Sequence, residues 1–339
     1  MKNSKKFLFT IFIIIIFQLC VTSFTISLDN NIYYVGGNGN GNYSKISDAI
    51  SISSNGDIIF VFNGTYNEKI ILNKSVALVG QSKNSTIING EYFYYSISIS
   101  SSNINISNFL IKNSTIGIYI PRNKSDIHLF DNIFYKNTNA ILIDGGSSNI
   151  ISSNFFINNS EDIRIYSSKN NQILDNDFLT DGTNGIIFRD KVINNSIFNN
   201  FFSDKQKAIF IHKDSNNNKI LNNNFSNNRY GIHSYFCRNL LIKNNYFYNN
   251  SLYGVACVNS EFINISNNTF QENNNGILID SSYNYSDLLD NYFYENYLDF
   301  KINSLLPLIE IPSIEILFLI LIVILSLIIF YIKIFFKNK

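Results

Sequence analysis

Arg164, Tyr166, Arg189, His212, His233 and Tyr235 carry the side chains best suited to chemistry, and their spacing is regular. Asp144, Tyr166, Arg189, His212 and Tyr235 follow one another at intervals of 22, 23, 23 and 23 residues. Leu142, Arg164, Ile187, Phe210, His233 and Ala256 form a second series set two residues earlier. If one interval is one turn of a coil, the six residues converge on one outward patch, with Asp144 and Asp190 at its edge. Tyr rings stack on sugar faces, and Arg and His bind hydroxyls or carboxylates, so the patch reads as a glycan groove. The plain alternative is a solvated strand face with ordinary side chains.

Arg189, His212 and Asp190 are the candidate catalytic residues of such a patch. A glycosidase needs two carboxylates facing each other across about 5–10 Å, and Asp144 with Asp190 do not evidently provide that pair. No acidic column suggests a calcium site. His128, His212 and His233 are the only histidines and Met1 the only methionine, so ligands for a soft metal are scarce. His212 and His233 are the metal candidates, since they fall in neighbouring repeats. The sequence therefore predicts no cofactor, with calcium or copper as the metals to test.

The intervals come from a repeat carried by the motif Asn-x-Phe. Its aromatic falls at Phe134, Phe156, Phe178, Phe202, Phe225, Phe247, Phe270 and Phe293, with spacings of 22, 22, 24, 23, 22, 23 and 23. Two residues earlier stand Asn132, Asn154, Asn176, Asn200, Asn223, Asn245, Asn268 and Asn291. Five before each Phe is Leu or Ile, and six or seven after it is Ala, Gly or Asp, then an alternating apolar pair such as Ile141 and Ile143. Period-two alternation with β-branched residues excludes a helical solenoid. Each repeat reads as strand, turn, strand, turn. Equivalent strands must stack in parallel, turning the Asn and Phe columns into structural ladders. About ten coils at ~4.8 Å each give a rod on the order of 50 Å.

The ends differ from the middle. Lys2, Lys5 and Lys6 precede the apolar run Phe7 to Phe17, which reads as a secretory signal or an uncleaved signal anchor over residues 1–24. Residues 32–57 read as an N-terminal cap, with Ile46, Ala49 and Ile50 at helical spacing between Tyr43 and Ser53. The coils then occupy 58–303 and a spacer with Pro307 and Pro312 occupies 304–313. Residues 314–332 are apolar enough to span a bilayer, and the basic tail 333–339 places the large domain outside. The membrane is thus one expected partner. Sequons such as Asn63-Gly64-Thr65 and Asn264-Ile265-Ser266 could carry glycans on an exported chain. Cys237 and Cys257 read as small semi-buried residues rather than a disulfide. A net charge of +1, with 15% charged residues, excludes a nucleic-acid partner, which needs clustered cations.

Gly56-Asp57-Ile58-Ile59-Phe60-Val61, Gly64-Thr65-Tyr66-Asn67-Glu68, Lys74-Ser75-Val76-Ala77-Leu78-Val79-Gly80 and Thr86-Ile87-Ile88-Asn89-Gly90 resemble the opening of NosD-like right-handed parallel β-helix proteins. The Asn-x-Phe coils are similar to the same superfamily, and the likeness covers about residues 33 to 302. It implies an all-β right-handed parallel β-helix, to which the residues add the helical cap and, after the coils, the single C-terminal membrane helix. Its functional implications are carbohydrate binding, sugar hydrolysis or copper-site assembly. Ile311-Pro312-Ser313-Ile314-Glu315 looks like the anchor region of archaeal surface proteins. The expected function is a surface-anchored, adhesin-like protein that binds polysaccharide or cell-surface glycan. The alternatives are a polysaccharide lyase or glycoside hydrolase and, third, a copper-site accessory protein.

Overall fold

The computed structural model describes residues 30–91, 93–180, 182–280, 288 and 290–303. These residues form a parallel β-helix whose three sheets each contain eleven strands. The proposed signal, spacer, membrane helix and basic tail lie outside the described residues, within which no helix is long and apolar enough to cross a membrane.

Each coil has three strands, not the two expected. In one coil these are Ile150–Ser152 on sheet A, Phe155–Ile157 on sheet B and Glu161–Tyr166 on sheet C. The first two are three residues long and meet at a tight turn around Asn154, so the sequence reads them as one segment. Positive-φ residues explain the paired Asn motifs. Asn199, Asn222, Asn244 and Asn267 adopt φ of 54 to 57°, a region Asn tolerates better than most residues. The following Asn turns inward. In Asn199-Asn200, for example, the first residue makes the bend and the second enters the ladder.

Asn200 shows how such a buried amide is satisfied. Its Oδ1 accepts from Asn176 N and Nδ2, both at 3.0 Å. Its Nδ2 donates to Ile173 O, Phe198 O and Asn223 Oδ1 at 2.9, 3.0 and 3.0 Å. The same pattern links Asn132 through Asn291. A second ladder at the B-to-C turn includes Asn137, Asn159, Asn228, Asn250, Asn273 and Asn296. A third at the C-to-A turn joins Asn149, Asn171, Asn195 and Asn218. A single Asn-x-Phe alignment exposes only the first.

Phe134 through Phe293 stack with centroids 4.4 to 5.2 Å apart and planes within 12°. Columns of Ile, Leu and Val fill the remaining interior. β1 (Ile32–Val35) already pairs with Ile58–Val61. α1 (Ile46–Ile52) buries Ile46, Ala49 and Ile50 against this end of the core. Glu68 accepts from the first backbone amides of α1, Ile46 N at 2.8 Å and Ser47 N at 3.0 Å. Cys237 and Cys257 are buried and form no disulfide. Burial pushes both thiols up to about 12.

Candidate functional site

The outer face of sheet C carries both series of spaced residues in adjacent columns. Leu142, Arg164, Ile187, Phe210, His233 and Ala256 are register partners, as are Asp144, Tyr166, Arg189, His212, Tyr235 and Val258. A third column lies beside them: Tyr95, Ile116, Asn139, Glu161, Asn184, Lys207, Tyr230 and Tyr253. Sequence reasoning missed it. Its signal is the residue just before each small Ala, Gly or Asp that opens the inward turn.

Two zones divide this face. Towards the N-terminal end, a groove of about 450 Å³ is lined by Tyr94, Tyr95, Tyr119, Tyr166, Arg122 and Asp144, with Asp190 at its far side. The rings of Tyr94 and Tyr119 both stand 6.0 Å from that of Tyr95. Arg122 Nε pairs with Asp144 Oδ1 at 3.4 Å. Tyr119 has its hydroxyl pKa raised by burial, and then by Asp144.

Further along lies an aromatic and cationic zone. His212 stacks on Tyr235 at 5.5 Å with planes 5° apart. His233 packs on Tyr230 at 4.9 Å and Phe210 at 5.4 Å. Lys207 Nζ stands 4.0 Å over the Phe210 ring. Burial is the main cause of the low pKa of both histidines, with His233 at about 4. Arg189 acts next on His212, and Lys207 next on His233. Burial lowers Lys207, as do the adjacent Arg189 and Arg229. Arg189 Nε is buried without a hydrogen-bond partner. No described carboxylate lies within ion-pair distance of Arg189, Lys207 or Arg229, whereas Arg122, Arg164, Lys213 and Arg238 each have one.

Of the eight residues singled out, Tyr166, Asp144 and Asp190 therefore line the tyrosine groove, while His212, His233 and Tyr235 belong to the stacked zone. Arg189 lies between them. Arg164 turns to Glu161, an ion pair on its own strand. Asp144 ends its strand and Asp190 directly follows the strand two coils on, roughly 10 Å along the axis. Asp190 is held by Lys213 at 3.1 Å. Both carboxylates line the groove, and each also faces a cation, Asp144 facing Arg122 and Asp190 facing Lys213. His128 is on sheet A, bonded to Ser152 at 3.0 Å and packed on Phe130. Among the described residues, no three His, Cys, Asp or Glu side chains converge as a metal site.

A family profile described as "Periplasmic copper-binding protein (NosD)" matches residues 24–230. The chain belongs to the NosD family. A second profile, "Right handed beta helix region", matches residues 163–301 of this NosD-family chain. No curated protein matches it. Among solved structures it is similar to the A-module of mannuronan C-5 epimerase AlgE4 from Azotobacter vinelandii, with TM-score 0.57, 15% identity and coverage of 80% of this chain and 98% of the other. XylC in complex with xylose gives 0.56 and 10%, covering 78% and 86%. The catalytic domain of a GH87 alpha-1,3-glucanase in complex with nigerose gives 0.53 and 13%, covering 80% and 68%. At these identities the likeness is one of fold.

Proposed function

We propose that this chain is an exported β-helix that binds an anionic polysaccharide along the outer face of sheet C without cleaving it. The observation that carries this reading is the tyrosine groove beside Lys207 and the two cations that act on it, Arg189 and Arg229, none of the three with a carboxylate within ion-pair distance among the described residues. Sugar rings would stack in the groove, and their carboxylates or sulfates would relieve the repulsion between those cations. Carbohydrate-acting proteins among the structural relatives agree with this use of the fold. The family name is in keeping with export. An apolar run at 314–332 would anchor the protein at a surface, where polysaccharide binding becomes adhesion.

The test is binding of the full chain to acidic and neutral polysaccharides. Acidic chains should bind at least about tenfold more tightly, with the preference lost in Arg189→Met/Lys207→Met and weakened by salt. Equal binding to neutral chains, or no binding, would overturn it. A lyase or hydrolase would instead release unsaturated or reducing ends.

Among the described residues, the donors do not fit copper. His212 and His233 lie in different columns, each ring packed on aromatic partners. The two described cysteines are buried, and among the described residues no three His, Cys, Asp or Glu side chains converge. No step through copper is built on this donor set.

A further inference from the structure

The B-to-C Asn ladder is interrupted by a charged pair. Lys205 occupies the position held elsewhere by Asn228, Asn250 and Asn273. Asp162 stands in the column that holds Ala140, Gly185, Ala208, Gly231 and Gly254 and, in the last described coil, Asp299, which accepts from Asn296 as Asp162 does from Asn159 but has no described lysine facing it. Both side chains have zero exposure, and Lys205 Nζ lies 2.9 Å from Asp162 Oδ2. Lys205 reaches there across an intervening coil that contributes Gly182, where a Cβ would stand 3.1 Å from Nζ and 2.7 Å from Asn159 O. Glycine keeps that lane open.

The hydrogen bonds around the pair are those an amide would use. Asp162 Oδ1 accepts from Asn159 Nδ2 at 3.0 Å, and Nζ donates to Leu179 O at 3.2 Å. Oδ2 has no hydrogen bond of good geometry despite its contact with Nζ. One carboxylate oxygen is thus positioned as a carbonyl and the other as a leaving group. Burial pushes Asp162 up to about 6, against the pull of Lys205, which favours the protonated acid. A fully buried ion pair is a costly arrangement, and conversion to a neutral amide removes both charges.

We infer that Lys205 and Asp162 are joined by an intramolecular isopeptide bond formed after folding. Nζ passes a proton to the carboxylate, giving an amine and an acid. The amine lone pair attacks Cγ and the C–N bond forms, with Asn159 Nδ2 stabilising negative charge on Oδ1. The Cγ–Oδ2 bond breaks, and Oδ2 leaves as water with the carboxyl proton and one Nζ proton. The product N–H keeps Leu179 O and the product carbonyl keeps Asn159. Asn159 and Gly182 also line a cleft of about 490 Å³, an exit for the water.

The test is a tryptic map of the full chain made in a host that does not glycosylate it. The bond predicts a branched peptide joining residues 137–164 to 192–207, one water lighter than the sum of the two and uncut at Lys205. Lys205→Arg keeps the charge and should yield only linear peptides. Recovery of separate 137–164 and 192–205 peptides from the folded wild-type chain would overturn the inference. That result is decisive even if the variant fails to fold.

Discussion

His233 shows how the outer face of sheet C and the stability of the rod are coupled through one side chain. Packed between Phe210 and Tyr230, it takes up a proton in the folded chain only at about pH 4, against an ordinary 6.5. As pH falls, the unfolded chain therefore binds that proton first. The contribution of His233 to stability is full above about pH 6.5 and declines as pH drops towards 4. Urea midpoints measured across this range should fall for the wild type and vary less for His233→Phe. Equal slopes would refute the effect. His233 and its column were legible from the sequence because the period places residues whatever their chemistry. Its partner Tyr230 was not, because that column mixes Asn, Glu, Lys and Tyr and shows no pattern by residue type.

The strand-to-turn junction after each Phe imposes the strictest demand on size. A Cβ on Gly231 would lie 2.5 Å from Gly254 O and 2.7 Å from Phe247 Cδ1. Gly231→Val should therefore lower stability by about 1–3 kcal/mol, read from urea unfolding, with Gly231→Ala costing less because Ala140 and Ala208 already occupy this column. Equal stabilities for the two variants would contradict the packing argument. Two of the three strands per coil were merged in the sequence reading, since a two-residue turn between three-residue strands leaves no Gly or Pro signal. The turn is made instead by residues such as Asp131, Ser153, Asp175 and Asn199 at positive φ, types that are equally at home in a loop. The second and third Asn ladders were obscured for a related reason. In an Asn-rich chain a column of Asn stands out only once the three-turn geometry says where to look.

At the scale of the molecule, eleven strands per sheet give a rod on the order of 50 Å long. Its N-terminal end is covered by α1, and the far coil, with Tyr292 at 68% and Tyr297 at 88% exposure, leads towards the apolar run at 314–332. If that run anchors the rod, a chain of residues 30–339 should sediment with membranes and one of residues 30–303 should stay in the supernatant; a 30–339 chain in the supernatant would refute the anchor. In the three buried ladders the amides point one way: Asn132 donates to Asn154, Asn137 to Asn159 and Asn149 to Asn171. Wherever a ladder runs, each Asn thus waits for an acceptor that only the next coil brings. Growth of the rod therefore has a polarity that coincides with synthesis, and a chain emerging N-terminus first can complete its bonding coil by coil as it emerges.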